Sequence, residues 1–136
     1  MTPPPVFFDT NVLVYAFEFT EAKTPVAARL LAEGGVVSVQ VLNEFAAAMR
    51  RKFRRDLNRT QKLIDEILRN CPDPRSITLE THRAGMRLCQ RYGFSIYDGT
   101  VVASALETGC RVLYTEDLQH GQVIDGLRIE NPFVEK

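Results

Sequence analysis

Three aspartates stand where an apolar run gives way to a turn or a helix, positions that can gather carboxylates from distant parts of a chain. Asp9 follows Val6-Phe7-Phe8, Asp117 follows Val112-Leu113-Tyr114 by way of Thr115-Glu116, and Asp98 lies three residues after Ser95. Each has a plain structural account: a helix N-cap for Asp9, a turn acid for Asp117, and a Ser95–Asp98 capping box. Asp98 goes further, because it lines up with Val102, Ala105 and Gly109 at helical spacing. That stripe points inward, and a carboxylate on it costs several kcal/mol unless it is paired or bound to a metal. Converging carboxylates with no Cys or His among them are hard oxygen ligands, suited to Mg2+ or Mn2+. Such an ion can activate water and neutralise a scissile phosphate.

The elements that must position these acids follow from periodicity and punctuation. Val6–Phe8 reads as a buried strand and Thr10–Phe17 as a helix. Thr24-Pro25 opens a second helix that Gly34-Gly35 stops. Val36–Val39 reads as a short strand, with Ser38 capping a helix whose apolar face is Leu42, Phe45, Ala46, Met49 and Phe53. Further helices are expected over Asn58–Asn70, Glu80–Tyr92 and Ser95–Thr108, and further strands over Ile77–Leu79, Arg111–Tyr114 and Leu127–Glu130. Strands alternating with helices predict an α/β fold, a three-layer α/β/α sandwich with a mainly parallel central sheet. Residues 1–136 read as a single domain, with no repeat or linker. Ligands of such sheets bind beyond the carboxyl ends of the strands, where Asp9 and Asp117 fall.

Composition excludes little. Seventeen basic and seventeen acidic residues cancel, yet a local basic stripe can still hold phosphate. Residues 50–62 supply one: Arg50, Arg51, Lys52, Arg54, Arg55, Arg59 and Lys62 against Asp56 alone. It reads equally as a solvated face beside a helix C-terminus or as a phosphate-contacting rim. Tyr92, Phe94 and Tyr97 lie near the third acid, where aromatic rings can stack on bases; for Phe94 core packing is the simpler role. His82 and His120 lack metal-ligand spacing, and Cys71, Cys89 and Cys110 form no CxxC pair. The amino-terminal residues lack a secretory pattern and no apolar run could span a bilayer. These features lead us to expect a cytoplasmic protein with no membrane association.

Four segments, VFFDTNVLVYAF, SVQVLNEFAAAMRRK, SIYDGTVVASALETGC and VLYTEDLQHGQ, resemble in order and spacing the PIN-domain ribonucleases, in particular the VapC-type toxins of toxin–antitoxin pairs. The resemblance covers nearly the whole chain. It implies four catalytic, metal-binding acids at Asp9, Glu44, Asp98 and Asp117, with Thr10, Asn11 and Thr115 orienting ligands or water and Glu116 as a nearby fifth acid. It alone promotes Glu44, which lies roughly 140° round its helix from the Leu42/Phe45/Met49 face, where a solvated glutamate is the default. It further implies an RNA substrate, cleavage that leaves a 5′-phosphate, an antitoxin that blocks the acids, and a homodimer. The apolar first two helices could supply the antitoxin's surface, although core is their simpler role. One departure stands out: Gly99 occupies the place where the family commonly carries Ala, which is expected to loosen the first turn of that helix.

Two other readings stay open on the sequence. One is a non-catalytic α/β module whose acids merely cap helices; the other is a PIN-type nuclease acting in RNA processing or on DNA. The DTNVL segment lacks the second aspartate of a haloacid-dehalogenase-like site, and no GxxxxGK[ST] loop is present.

Overall fold

The computed structural model describes residues 4–134. The chain runs β1 (Val6–Phe8), α1 (Thr10–Phe17), α2 (Thr24–Glu33), α3 (Val39–Phe53), α4 (Leu57–Asn70), α5 (Leu79–Tyr92), α6 (Ile96–Glu107), β2 (Val112–Tyr114), β3 (Val123–Ile124) and β4 (Leu127–Glu130). The sheet order is β1-β2-β4-β3. β1 pairs parallel with β2 and β2 with β4, while β3 joins β4 antiparallel. The α/β class and the mainly parallel sheet are as expected. Because β1 and β2 are parallel and in register from Val6↔Val112 to Phe8↔Tyr114, the residues following both strands emerge at one edge. That register brings Asp9 and Thr115–Asp117 together.

Two expected strands are not strands. Val36 makes only an isolated bridge to Phe7, and Ser38 one to Arg75. Val36 does exchange backbone bonds with β1, Val36 N–H to Val6 O at 2.8 Å and Phe8 N–H to Val36 O at 3.0 Å. Two residues later Ser38 turns the chain by accepting from Val41 N–H as the cap of α3, so the ladder cannot lengthen. Ile77–Leu79 fails for the same reason. Thr78 caps α5 in a reciprocal capping box with Thr81, and Leu79 is already helical. Strong caps override β-branched composition here. β3 was not anticipated: two residues long, it is folded back by the turn through Asp125 and Gly126, both at positive φ.

Phe7 and Phe8 of β1, Leu113 of β2, Ile129 of β4, and Phe45 and Met49 of α3 are fully buried and meet Val12, Leu13, Leu30 and Leu31 in one apolar cluster. The first two helices thus contribute mainly to the core, although Phe19 just beyond α1 is 80% exposed. Every residue of α6 from Gly99 to Ala105 is buried, so this helix is enclosed on all sides. Gly99 is what admits α5 beside it. A Cβ there would come within 2.6 Å of Gly85 O and 2.7 Å of Cys89 Sγ. The expectation of a loosened turn is therefore reversed, because the missing side chain permits tight helix packing around the turn that carries Asp98.

Candidate active site

Asp9 and Thr115 form the floor of the site. Asp9 caps α1 through Oδ1, which accepts from Thr10 N–H at 2.7 Å. Its Oδ2 accepts from the Thr115 hydroxyl at 2.8 Å. Thr115 is fully buried, and its oxygen also accepts from Asn11 Nδ2 at 3.3 Å and from Asp117 N–H at 3.1 Å. One donor and two acceptor positions are all that a hydroxyl has, so this one is saturated. Asn11 completes the lattice: its amide nitrogen donates to Asp117 Oδ2 at 3.1 Å, and its oxygen accepts from Glu116 N–H at 3.3 Å. Thr10, Asn11 and Thr115, expected from the resemblance to orient ligands or water, thus all lie against Asp9 or Asp117.

Asp98 arrives from α6. Ser95 caps that helix by accepting from Asp98 N–H at 3.2 Å. The reciprocal bond from Ser95 N–H is absent among the described residues, although the pKa of the Asp98 carboxyl, raised by burial, is lowered in part by the Ser95 side chain. One carboxylate oxygen each from Asp9, Asp98 and Asp117 lies within 4.8 Å of the others. At an effective dielectric of about 20, charges at that separation repel by roughly 3 kcal/mol per pair.

Glu44 stands just outside this triad, near enough that Asp98 and Asp117 both act on its charge. It is reached from α3, whose residues divide between two faces. Val41, Phe45 and Met49 enter the core, while Glu44, Ala47, Ala48 and Arg51 line a groove with Thr10 and Asp117. The angular displacement that made Glu44 look solvated is what turns it toward the groove. Gln40, one turn earlier, donates to Glu44 Oε2 and to Tyr97 O, both at 3.3 Å. Sequence reasoning missed this brace, for which the i,i+4 Gln–Glu spacing was the available signal.

The protonation equilibria report crowding. Burial pushes the Asp9 carboxyl up to about 6, against the lowering effect of its bonds from Thr115 and Thr10. Burial also raises Glu44 and Asp98, with neighbouring carboxylates adding to the shift. Among the described residues, no ion pair reaches Asp9, Glu44, Asp98 or Asp117. Glu116 behaves differently. Lys23 Nζ sits 2.8 Å from its Oε2 and the Tyr15 hydroxyl donates to its Oε1 at 3.0 Å. The nearby fifth acid is neutralised, while the four around the groove keep uncompensated charge. No sequence spacing could have signalled Lys23 or Tyr15 as partners of Glu116.

This donor set fits a hard divalent cation: all-oxygen, crowded, short of positive charge. The buried Thr10 Oγ1, on a residue lining the groove, has no hydrogen-bond partner among the described residues, which leaves a polar position for a ligand or water.

The basic run divides. Arg51 and Lys52 line the acid-bearing groove. Arg50, Arg54 and Arg55 line a separate depression at the α3–α4 turn. There Arg55 grips the buried Glu18 by two bonds, Nη2 to Oε1 at 2.8 Å and Nε to Oε2 at 3.2 Å. Tyr92 and Phe94 stack on each other at 5.3 Å, whereas Tyr97, which lines the groove with Glu44 and Asp117, is 62% exposed. His120 Nδ1 accepts from Asn131 N–H, and no helix among the described residues is long and apolar enough to cross a membrane.

Known structures share this fold. The chain is similar in fold to VapC20 of Mycobacterium tuberculosis, a toxin that cleaves the sarcin–ricin loop, with a TM-score of 0.66 and 19% identity over 82% of this chain and 89% of that one. It is also similar to VapBC2 of Rickettsia felis bound to a DNA fragment from their promoter, with a TM-score of 0.67 and 18% identity over 92% and 96% of the two chains. No curated protein matches by sequence. The family model of the PIN domain matches residues 6–124. With that span the chain belongs to the PIN-domain family, whose members are nucleases.

Proposed function

We propose that this protein is an Mg2+- or Mn2+-dependent endoribonuclease and the toxin of a toxin–antitoxin pair, with Asp9, Glu44, Asp98 and Asp117 as its catalytic and metal-binding acids. The observation that carries the reading is the triad of carboxylate oxygens within 4.8 Å that no ion pair among the described residues neutralises. Capping alone does not account for it, since only one Asp9 oxygen serves its helix end and the Asp98 carboxylate accepts from no backbone N–H among the described residues.

In this reading Asp9, held at both oxygens by Thr10 and Thr115, is the rigid anchor. Asp98 supplies the second principal ligand, while Glu44 and Asp117 complete the set directly or through water. A bound divalent ion would supply Lewis-acid stabilisation of the phosphate and lower the pKa of a bound water. Asn11 fixes the rotamer of Asp117, Thr115 holds its backbone N–H, and the Thr10 hydroxyl orients water. Arg51 and Lys52 hold the RNA backbone, so binding weakens steeply with salt. Water adds to phosphorus as the P–O3′ bond breaks, the 3′ oxygen takes up a proton, and a 5′-phosphate remains. The likeness to toxins of this fold supports the toxin assignment and an antitoxin partner; in the same proposal the antitoxin covers the groove, the protein forms a homodimer and its site of action lies in the cytoplasm.

The test is sequencing of RNA 5′-phosphate ends from cells expressing the wild type or Asp98→Asn. New ends in the wild type alone support the reading, and matching profiles overturn it.

A further inference from the structure

Next to the acids lies a second pocket of a different character. It encloses about 560 Å³ between α3, the segment before α5 and the start of α6, and its walls include Val39, Asn43, Ala47, Ser76, Ile77 and Tyr97. Glu44, Ala47 and Tyr97 also line the catalytic groove, so the two spaces share a wall. The apolar walls are open to water: Tyr97 is 62% exposed, Val39 43% and Ile77 36%. Apolar side chains gathered in a concave space beside a polar groove make a candidate ligand surface. The walls are also braced from within, because the Gln40 amide ties Glu44 to the Tyr97 carbonyl. Polar groups at the rim are free to recognise a ligand: the Asn43 and Ser76 side chains are exposed and make no hydrogen bond among the described residues.

We propose that this pocket is a nucleobase subsite, in which one unpaired base of the RNA strand stacks on Tyr97 against Val39 and Ile77 while its phosphate reaches the acids across Glu44. The inference rests on the RNA-cleaving reading above and adds where the enzyme holds a base. A flat aromatic ring beside apolar walls suits the face of a base, and every base has such a face. An amide and a hydroxyl at the rim suit its hydrogen-bonding edge. Continuity with the acids argues for a strand that enters the groove rather than for a separate partner. A base seated here must be unstacked from its neighbours, so single-stranded or looped RNA fits and an intact duplex does not.

The probe is a short single-stranded RNA carrying 2-aminopurine at each position in turn, bound to Asp98→Asn protein so that binding is read without cleavage. One position should show quenched fluorescence, lost in Asp98→Asn/Tyr97→Leu and kept in Asp98→Asn/Tyr97→Phe. Affinity should fall about 5- to 150-fold with the leucine variant, the range for a single base–aromatic stack. Quenching indifferent to Tyr97→Leu overturns the subsite. So does a sedimentation result in which Ile77→Asp dissociates a dimer and leaves the base signal intact, since this face would then be an interface between copies. Wild-type cleavage with no Tyr97-dependent quenching removes the subsite and spares the nuclease. Tyr97-dependent quenching with no wild-type cleavage does the reverse.

Discussion

Thr115→Val deletes the one hydroxyl that joins Asp9, Asn11 and Asp117 while keeping the shape of the side chain. Its bond to Asp9 is 2.8 Å and lies wholly inside the protein. A hydrogen bond to a charged acceptor contributes about 1.5–3 kcal/mol, equivalent to about 1–2 pKa units. The Asp9 carboxyl, at about 6 in the wild type, should therefore rise to roughly 7–8 in the variant. In the unfolded chain it titrates near its ordinary 3.8. A folded-state pKa above the unfolded value stabilises the protein at low pH, and that stabilisation fades as pH rises through the folded value. Metal-free wild type should thus lose stability up to about pH 6 and then level off. The variant should keep losing it up to roughly pH 7–8. Urea unfolding in EDTA at pH 5 and pH 8 measures the difference, with the variant's penalty growing by about 1.5–3 kcal/mol at the higher pH. A penalty equal at the two pH values would refute the argument that Thr115 holds the charged form of Asp9.

Asp9→Asn removes the buried charge itself, so the metal-free variant should be more stable than wild type at pH 8, by up to about 3 kcal/mol, and show a flattened pH dependence in the same unfolding assay. Mn2+ should raise the melting temperature of the wild type, with about 2.7 kcal/mol of stabilisation at a hundredfold excess over Kd, and Asp98→Asn should abolish the shift. Gly99→Ala should lower the melting temperature by several degrees, because overpacking costs about 1–3 kcal/mol and its Cβ would meet backbone at 2.6 Å. Arg51→Ala should reduce the salt dependence of RNA binding by about one unit of slope without affecting stability. Arg55→Ala should instead lower the urea midpoint of unfolding, because it leaves the buried Glu18 carboxylate without its partner.

Much of this was legible in the chain because local rules and tertiary structure agreed. Val6–Phe8 and Val112–Tyr114 are short apolar runs bounded by polar residues, and their parallel pairing follows from the alternation with helices. Once they are parallel, Asp9 and Asp117 must share an edge. Where a cap competed with β-branched residues, as at Ser38 and Thr78, the cap won, because it satisfies helix-end donors that a two-residue bridge cannot. Glu44 was invisible to periodicity for a related reason: a helix with core on one side and a groove on another shows a pattern test only the core. Lys23 and Glu116 are 93 residues apart, and their pairing is a consequence of the finished fold. The basic run looked uniform, yet the αL turn at Arg54 parts Arg51 and Lys52 from Arg55, which spends its charge on Glu18. Gly99 looked like a weakness in a helix and is a packing requirement visible only with α5 in place.

The most direct test of the shared-cation claim is a crystal structure of the protein soaked in Mn2+, with anomalous scattering to locate the ion. The account predicts a peak among Asp9, Asp98 and Asp117, with carboxylate oxygens about 2.1 Å away. A saturating soak that leaves the triad without a peak, or places the ion elsewhere on the molecule, would contradict it.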